Sequence, residues 1–278
     1  MAFLDRYYVK KPLLREAVTR AVTPDRDEDV VLFQRRVRIN SIRENGYRRA
    51  ARQARTLSLY RDEASALQHL MLFTRPRMTF VDVGANIGIY SVMMSGISRI
   101  YPDFDVVAFE VQPDTHGRLA VNAARHGFTS HNIGLGAEAG RATFVDGAVS
   151  HVTTTADRAN AYNIPGRRFD AEIRRLDSYA FDKPIFLKID VEGQELEVLQ
   201  GASALFDRGG IDAVYVEGTS DRRHAVAAWL ADRGFLTVNG RTLWRVPDGP
   251  TNLLALRPEA YPEARSRLRS KPDSAGLN

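Results

Sequence analysis

Residues 80–91 read FVDVGANIGIYS. A hydrophobic strand ends in Asp82, a loop carries Gly84 and Gly88, and a helix follows. Glycine at 84 lets the backbone turn sharply and come close to a ligand. The start of the helix adds unpaired N–H groups and a positive dipole end, which suit a carboxylate as well as a phosphate. The spacing is Gly-x-Asn-x-Gly after an acid, not the Gly-x-Gly-x-x-Gly of dinucleotide sites. An acid at 82 would repel a pyrophosphate and favour a cation. Taken alone, the motif also fits a plain strand-to-helix turn.

Moving outward, residues 106–113 read VVAFEVQP, an apolar strand ending in Glu110, 22 residues after Gly88. An acid at the end of the second strand of such a unit accepts hydrogen bonds from both hydroxyls of a ribose. Glu110 therefore points to an adenosine-type ligand without choosing its chemistry. Residues 185–202, IFLKIDVEGQELEVLQGA, repeat the layout: a buried strand ends in Asp190, Gly193 turns the chain, and a helix puts Leu196, Leu199 and Ala202 on one face. Apolar runs at Thr79–Val83, Val106–Phe109, Ile185–Ile189 and Ala213–Val216 alternate with helical stretches or Gly-rich turns. That alternation predicts a doubly wound α/β fold with a mostly parallel sheet. Phe235–Val238 and Asn252–Leu256 read as an antiparallel pair closing one edge.

Together the three blocks resemble the FkbM-type methyltransferases: a glycine motif like Val81–Ser91, an acid-ended strand like Ala108–Pro113, and a block like Leu187–Ala202. The resemblance covers residues 57–256 and implies a class I, Rossmann-like methyltransferase fold with S-adenosyl-L-methionine as cofactor. It also implies O-methylation of a hydroxyl on a sugar, lipid or other small molecule. Carried over, Asp82, Gly84, Asn86 and Gly88, with Ala85 in the same turn, hold the methionine part. Glu110 holds the ribose and Asp190 lies at the methyl-transfer end. One departure is that proline comes at 113 rather than directly after Glu110, so Val111 joins the contact set with an altered turn. Leu135 and Gly136, in HNIGLGAEAG, fall where such enzymes lay backbone on the adenine edge, although a Gly-rich turn fits that run equally.

A hydroxyl acceptor needs a base, and the candidates are ordered Glu192, Asp190, His151. Glu192 leads because the helix after Gly193 would hold it ionised. His151 qualifies if the polar segment between its flanking strand-like runs, ATFVD and AEIRRLD, folds over the cleft as a long loop.

The rest of the chain sets limits. It has 278 residues and no cysteine, which excludes disulfides and thiolate chemistry. No stretch is long and apolar enough to span a bilayer, which predicts a cytoplasmic protein. Net charge is +5, with 34 arginines and only five lysines. Nine arginines fall between residues 35 and 61, with Tyr47 and Tyr60 among them. A nucleic-acid grip is the rival reading of that run; a solvated helix face in an arginine-rich composition is preferred. A metal-assisted reaction is a further alternative, since Asp177, Asp190, Glu192 and Glu217 could gather an oxygen-ligated cation; the six histidines are scattered without metal spacing, and no residue is assigned as a metal ligand.

Three regions follow: residues 1–75, a basic and mainly helical extension; 76–257, the cofactor-binding domain; 258–278, a flexible tail. The extension is expected to pack beside the cleft or against a second copy in a homodimer. Within it, Val30–Ile39 looks strand-like and Asp62–Phe73 helical, with Leu67, Leu70, Met71 and Phe73 turned inward.

Overall fold

The computed structural model describes residues 20–21, 23–52, 57–147, 153–217, 222–240, 243 and 252–264. Most of the helical spacing over Phe3–Val22, His151, and the tail beyond residue 264 lie outside the described residues.

The chain enters as a hairpin of β1 (Asp27–Leu32) and β2 (Arg35–Asn40), paired antiparallel. Its turn residues Phe33 and Gln34 both have positive φ, 48° and 62°, as a two-residue hairpin turn of matching twist requires. Two helices follow, α1 (Asn45–Arg52) and α2 (Leu57–Leu72). The expectation of a mainly helical extension is thus corrected: the region is partly strands. The strand-like reading of Val30–Ile39 fits the hairpin: the period-two pattern of RRVRIN buries Val37 and Ile39. In α2 the buried stripe is Ala66, Leu67, His69 and Leu70. Met71, expected inside, is 41% exposed, one 100° step beyond that stripe.

The central sheet begins with β3 (Thr79–Val83), α3 (Ile89–Met94), β4 (Asp105–Phe109), α4 (Pro113–His126) and β5 (Thr129–His131). The signals for α4 are local and complete. Gln112 caps it by accepting the Thr115 N–H at 2.5 Å, Pro113 opens it, Arg125 and His126 sit in its last turn, and left-handed Gly127 ends it.

Where the sequence suggested a polar loop, the chain builds a second sheet from β6 (Gly134–Leu135), β7 (Gly140–Gly147), β8 (Thr153–Thr155) and β9 (Gly166–Arg174), with α5 (Ala156–Ala161) between the last two. Its strand order is β6-β9-β7-β8. The main sheet then resumes with β10 (Ile185–Ile189), α6 (Glu195–Gln200), α7 (Ser203–Asp207), β11 (Ile211–Val216), α8 (Arg223–Ala231), β12 (Leu236–Asn239) and β13 (Leu253–Leu256).

The seven strands lie in the order β12-β13-β11-β10-β3-β4-β5. β13 runs antiparallel to both its neighbours, while β11, β10, β3, β4 and β5 are parallel. Every residue of β3, β10, β11 and β13 is buried, as expected for strands covered on both faces. One face packs Val81, Leu187 and Val214 on Val198, Leu199 and Leu230. The other packs Phe80, Phe186 and Tyr215 on Leu70, Tyr90 and Met94. The winding reverses between β3 and β10, and ligands of open α/β sheets bind at the carboxyl ends of the strands flanking such a point.

The hairpin docks on the outside of α3 and α4, burying Leu32, Val37 and Ile39 against Ile87, Ile89 and Val92. Buried Asn122 of α4 clamps it: its Oδ1 accepts the Arg38 N–H at 2.7 Å, and its Nδ2 donates to Arg38 O and Ile87 O at 3.1 and 2.8 Å. Among the described residues no helix is long and apolar enough to cross a membrane.

Candidate functional site

At the switch point β3 gives way to a turn whose amides are already committed. The Gly84 and Ala85 N–H groups both donate to Phe109 O, at 3.0 and 2.9 Å, and the Gly88 N–H donates to Ala85 O at 2.8 Å. Gly84 has φ 73°, and a Cβ there would sit 1.8 Å from the carbonyl oxygen of Asp190. Only glycine lets the β3 and β10 turns close on each other at this point. Asn86, also at positive φ, donates its N–H to Glu110 Oε2 at 2.9 Å.

Glu110 ends β4. Its second oxygen accepts the Gln112 N–H at 2.8 Å. Burial pushes its carboxyl up to about 7, against the pull of those two backbone hydrogen bonds and of Lys188. Each oxygen keeps a lone pair for a ligand hydroxyl.

Asp82 lies below this level, 0% exposed. It faces Lys188 directly across the β3–β10 ladder. The Lys188 ammonium is 3.1 Å from Asp82 Oδ1 and 3.6 Å from Asp190 Oδ2, and lies 4.9 Å from the centre of the Tyr90 ring. Ser91 Oγ donates to Asp82 Oδ2 at 2.7 Å. Lys188 is 1% exposed; a buried ammonium persists only with such carboxylate company.

At the end of β10, Asp190 donates its N–H to Val83 O at 2.9 Å and keeps its side chain partly open. Glu192 has φ 52°. Its carboxyl is pushed up to about 7, first by burial, then by Asp190 and Glu195, with Arg158 pulling the other way. The expectation that the helix N-terminus would keep Glu192 ionised is corrected: burial and two neighbouring carboxylates outweigh a short helix's dipole.

The second sheet roofs this cleft. Thr154 Oγ1 donates to Glu192 O at 3.2 Å. Arg158, on α5, lies over Gly193, where a Cβ would meet its guanidinium at 2.3 Å. Arg43, from the segment after β2, grips Asp146 of the roof with two hydrogen bonds, 2.8 and 2.5 Å, and Gln112 Nε2 adds a third at 3.2 Å.

The enclosed space is about 310 Å³. Of the expected residues, Gly84, Asn86, Glu110, Val111, Leu135, Gly136, Asp190 and Glu192 line it. Asp82, Ala85 and Gly88 do not; they hold the turn and the floor from beneath. The Leu135–Gly136 run is a short strand edge, with the Gly136 N–H donated to Arg174 O at 3.0 Å. Phe144, Thr153, Thr155 and Ile173 line the cleft from the roof and had no sequence signal. Lys188 did have one, as the single charge inside the run IFLKI.

Five carboxylates line the cleft, Glu110, Glu138, Asp190, Glu192 and Glu197; behind the wall Lys188 lies 3.6 Å from Asp190 and Arg222 pairs with Glu197 at 2.6 Å. With its turn amides also spent, the cleft rejects a pyrophosphate and suits a ligand with ribose hydroxyls, an apolar ring and a cationic centre. Among the described residues no three His, Asp or Glu side chains are set to hold a metal ion.

Comparison with known proteins agrees. The Methyltransferase FkbM domain family matches residues 82–237. Methyltransferase sdnD of Sordaria araneosa is 32% identical over 213 residues, covering 64% of this chain and 80% of that protein. Hexuronic acid methyltransferase AglP of Haloferax volcanii is 32% identical over 126 residues, 43% of this chain and 48% of that one. A solved TehB-like SAM-dependent methyltransferase from Corynebacterium glutamicum aligns over 77% of this chain and 95% of its own, with 10% identity and a TM-score of 0.40.

Proposed function

Because this chain belongs to the FkbM methyltransferase family and is an S-adenosylmethionine-dependent methyltransferase, we propose that it methylates a hydroxyl of a small acceptor, a sugar above all, held under the roof sheet. The observation that carries the reading is the row of strand-end carboxylates Glu110, Asp190 and Glu192 along one cleft wall. Glu110 would accept the ribose hydroxyls. Of the residues lining the cleft, Ile133 and Leu135 would supply the apolar wall for the purine, Gly84 and Asn86 would border the methionine end, and Asp190 and Glu192 would hold the cationic centre. When bound, S-adenosylmethionine supplies an activated methyl group with a good leaving group, so the protein has to position and deprotonate the acceptor.

Glu192 is the residue for the proton. A carboxyl near 7 is balanced between accepting a proton and staying available as a base at neutral pH. Asp190 is the alternative base and shares the same carboxylate pair. Phe144 and Ile173 keep water off the transfer, while Thr153 and Thr155 offer hydroxyls to a polar acceptor. The relative named a hexuronic acid methyltransferase supports a sugar over a lipid.

The test is incubation with methyl-labelled S-adenosylmethionine and a panel of hexuronic acids, neutral sugars, hydroxylated lipids and RNA. The expected product is a labelled O-methyl sugar by mass spectrometry. Label on nitrogen, label in RNA alone, or no transfer across the panel would refute the assignment.

A further inference from the structure

The arginine-rich run divides into two groups once folded. Arg38 pairs with Asp29 at 3.4 Å, Arg43 with Asp146 at 2.5 Å and Arg48 with Glu28 at 2.5 Å. Arg35 and Arg36 have no carboxylate partner among the described residues. They open β2 beside the 3₁₀ turn Ser95–Arg99 that follows α3, and beside the last turn of α4. Together with Arg99, Arg125 and His126 they line a notch of about 560 Å³ that contains no carboxylate.

Two features show that the notch is built. The Arg35 guanidinium is seated on Gly96, where a Cβ would lie 2.4 Å from its Nη2. His126 Nε2 is 2.7 Å from Arg36 O, so the turn between hairpin and helix is held from both sides. The local field is positive without compensation. Burial and the Arg99 charge both disfavour the charged form of Arg35. Burial, then Arg35, Arg125 and Arg99, lower the histidine at 126, against a backbone hydrogen bond that raises it. Arg125 alone is answered, by Asp29 at 2.9 Å.

We propose that this notch binds a diphosphate or a phosphomonoester through the guanidinium groups of Arg35 and Arg99. Arg35 and Arg99 are close enough for the Arg99 charge to disfavour that of Arg35, and planar guanidinium forks match phosphate oxygens. The site is separate from methyl transfer. α3 and α4 run back from the cleft, and the fourteen residues of α4 put the notch about 20 Å away at 1.5 Å per residue. It therefore takes a second ligand.

The experiment is calorimetric titration with inorganic diphosphate in 0.15 M chloride, on the full chain. One saturable site per chain is expected. Arg35→Gln and Arg99→Gln should each weaken it at least tenfold, and so should Gly96→Ala, which displaces the Arg35 guanidinium without changing net charge. Arg141→Gln, an exposed arginine on the roof, should bind as the parent does. Methyl transfer should be unchanged in all four variants. Vesicles of phosphatidylcholine with phosphatidic acid distinguish the source. Capture that diphosphate displaces assigns the phosphate to a lipid headgroup, and no capture assigns it to a soluble ligand; both retain the site. Absence of saturable diphosphate binding, equal weakening by Arg141→Gln, or retention of RNA alone would overturn it.

Discussion

The two ends of the central sheet carry opposite charge. At the carboxyl ends of β3, β4 and β10 the cleft wall is lined by five carboxylates, two of them, Asp190 and Glu197, with a cation behind them. At the other end of α3 and α4 the notch holds four arginines, a histidine and no carboxylate. The same helices serve both, yet the charges behave differently. In the cleft, burial pushes Glu110 and Glu192 up to about 7, so charge there is adjustable by proton uptake. In the notch arginine cannot surrender its proton at any ordinary pH, so an anion has to come from outside. On the two proposals made above, one end moves a proton and the other holds a fixed charge.

The strongest way to break that contrast is Glu192→Gln. Turnover should fall about 10²–10⁴-fold with cofactor affinity kept, while Arg99→Gln leaves turnover at the parent's value. Single-turnover kinetics with calorimetry would check both. Loss of turnover in the notch variant would mean the ends are coupled.

Lys188→Met strips Asp82 of its counter-charge and leaves a buried carboxylate with only the Ser91 hydroxyl donating to it. A loss of about 3–5 kcal/mol is expected in urea unfolding. Asp82→Asn added to Lys188→Met should recover most of it. No such rescue would show that Lys188 acts by packing rather than by charge.

Glu110→Ala should weaken S-adenosylmethionine binding by about 1.5–3 kcal/mol, the worth of hydrogen bonds to a charged acceptor. Equal affinity in parent and variant would remove Glu110 from the ribose.

The pH response sharpens the comparison further. The folded carboxyls of Glu110 and Glu192 lie at about 7, above the ordinary 4.5. Between those values the native chain binds more protons than the unfolded one, so stability without cofactor should fall as pH rises from 4.5 to 7. The penalty is absent below 4.5 and complete above about 7. Glu192→Gln should flatten part of that slope, and should remove a limb near 7 from the pH profile of kcat/KM. A parent stability that climbs over this window would contradict the burial argument.

The smallest effect belongs to Asp29→Asn at the notch. Its exposed pairs with Arg125 and Arg38 contribute under about 1 kcal/mol, so stability should barely move. Freed Arg125 should tighten diphosphate binding a few-fold; weaker binding would mean that Arg125 takes no part.

Much of the site could be read in advance because its signals are local. Gly84, Glu110 and Asp190 each sit at a strand end followed by a turn and a helix, and strand ends at a switch point converge in any doubly wound sheet. The roof could be read only in part. ATFVD and AEIRRLD look strand-like, but their pairing as β7 and β9, across an intervening polar segment that reads as loop, had no local signal. In the extension the strand-like run Val30–Ile39 was legible, but the hairpin and its docking were not, because its partner surface on α3 and α4 lies far along the chain.

From local pattern alone come the doubly wound parallel sheet, the turn at Gly84, the acids at 110, 190 and 192, and membership of a methyltransferase-like family. Burial periodicity and turn chemistry act over a few residues and leave their mark in order along the chain. Only the tertiary structure decided that Asp82 serves Lys188 beneath the floor rather than lining the cleft, that Glu192 is crowded toward neutrality, and which arginines are paired. Charge state and exposure depend on what other strands and helices bring within a few ångströms. That is a property of packing between distant segments, and no single stretch of sequence carries it.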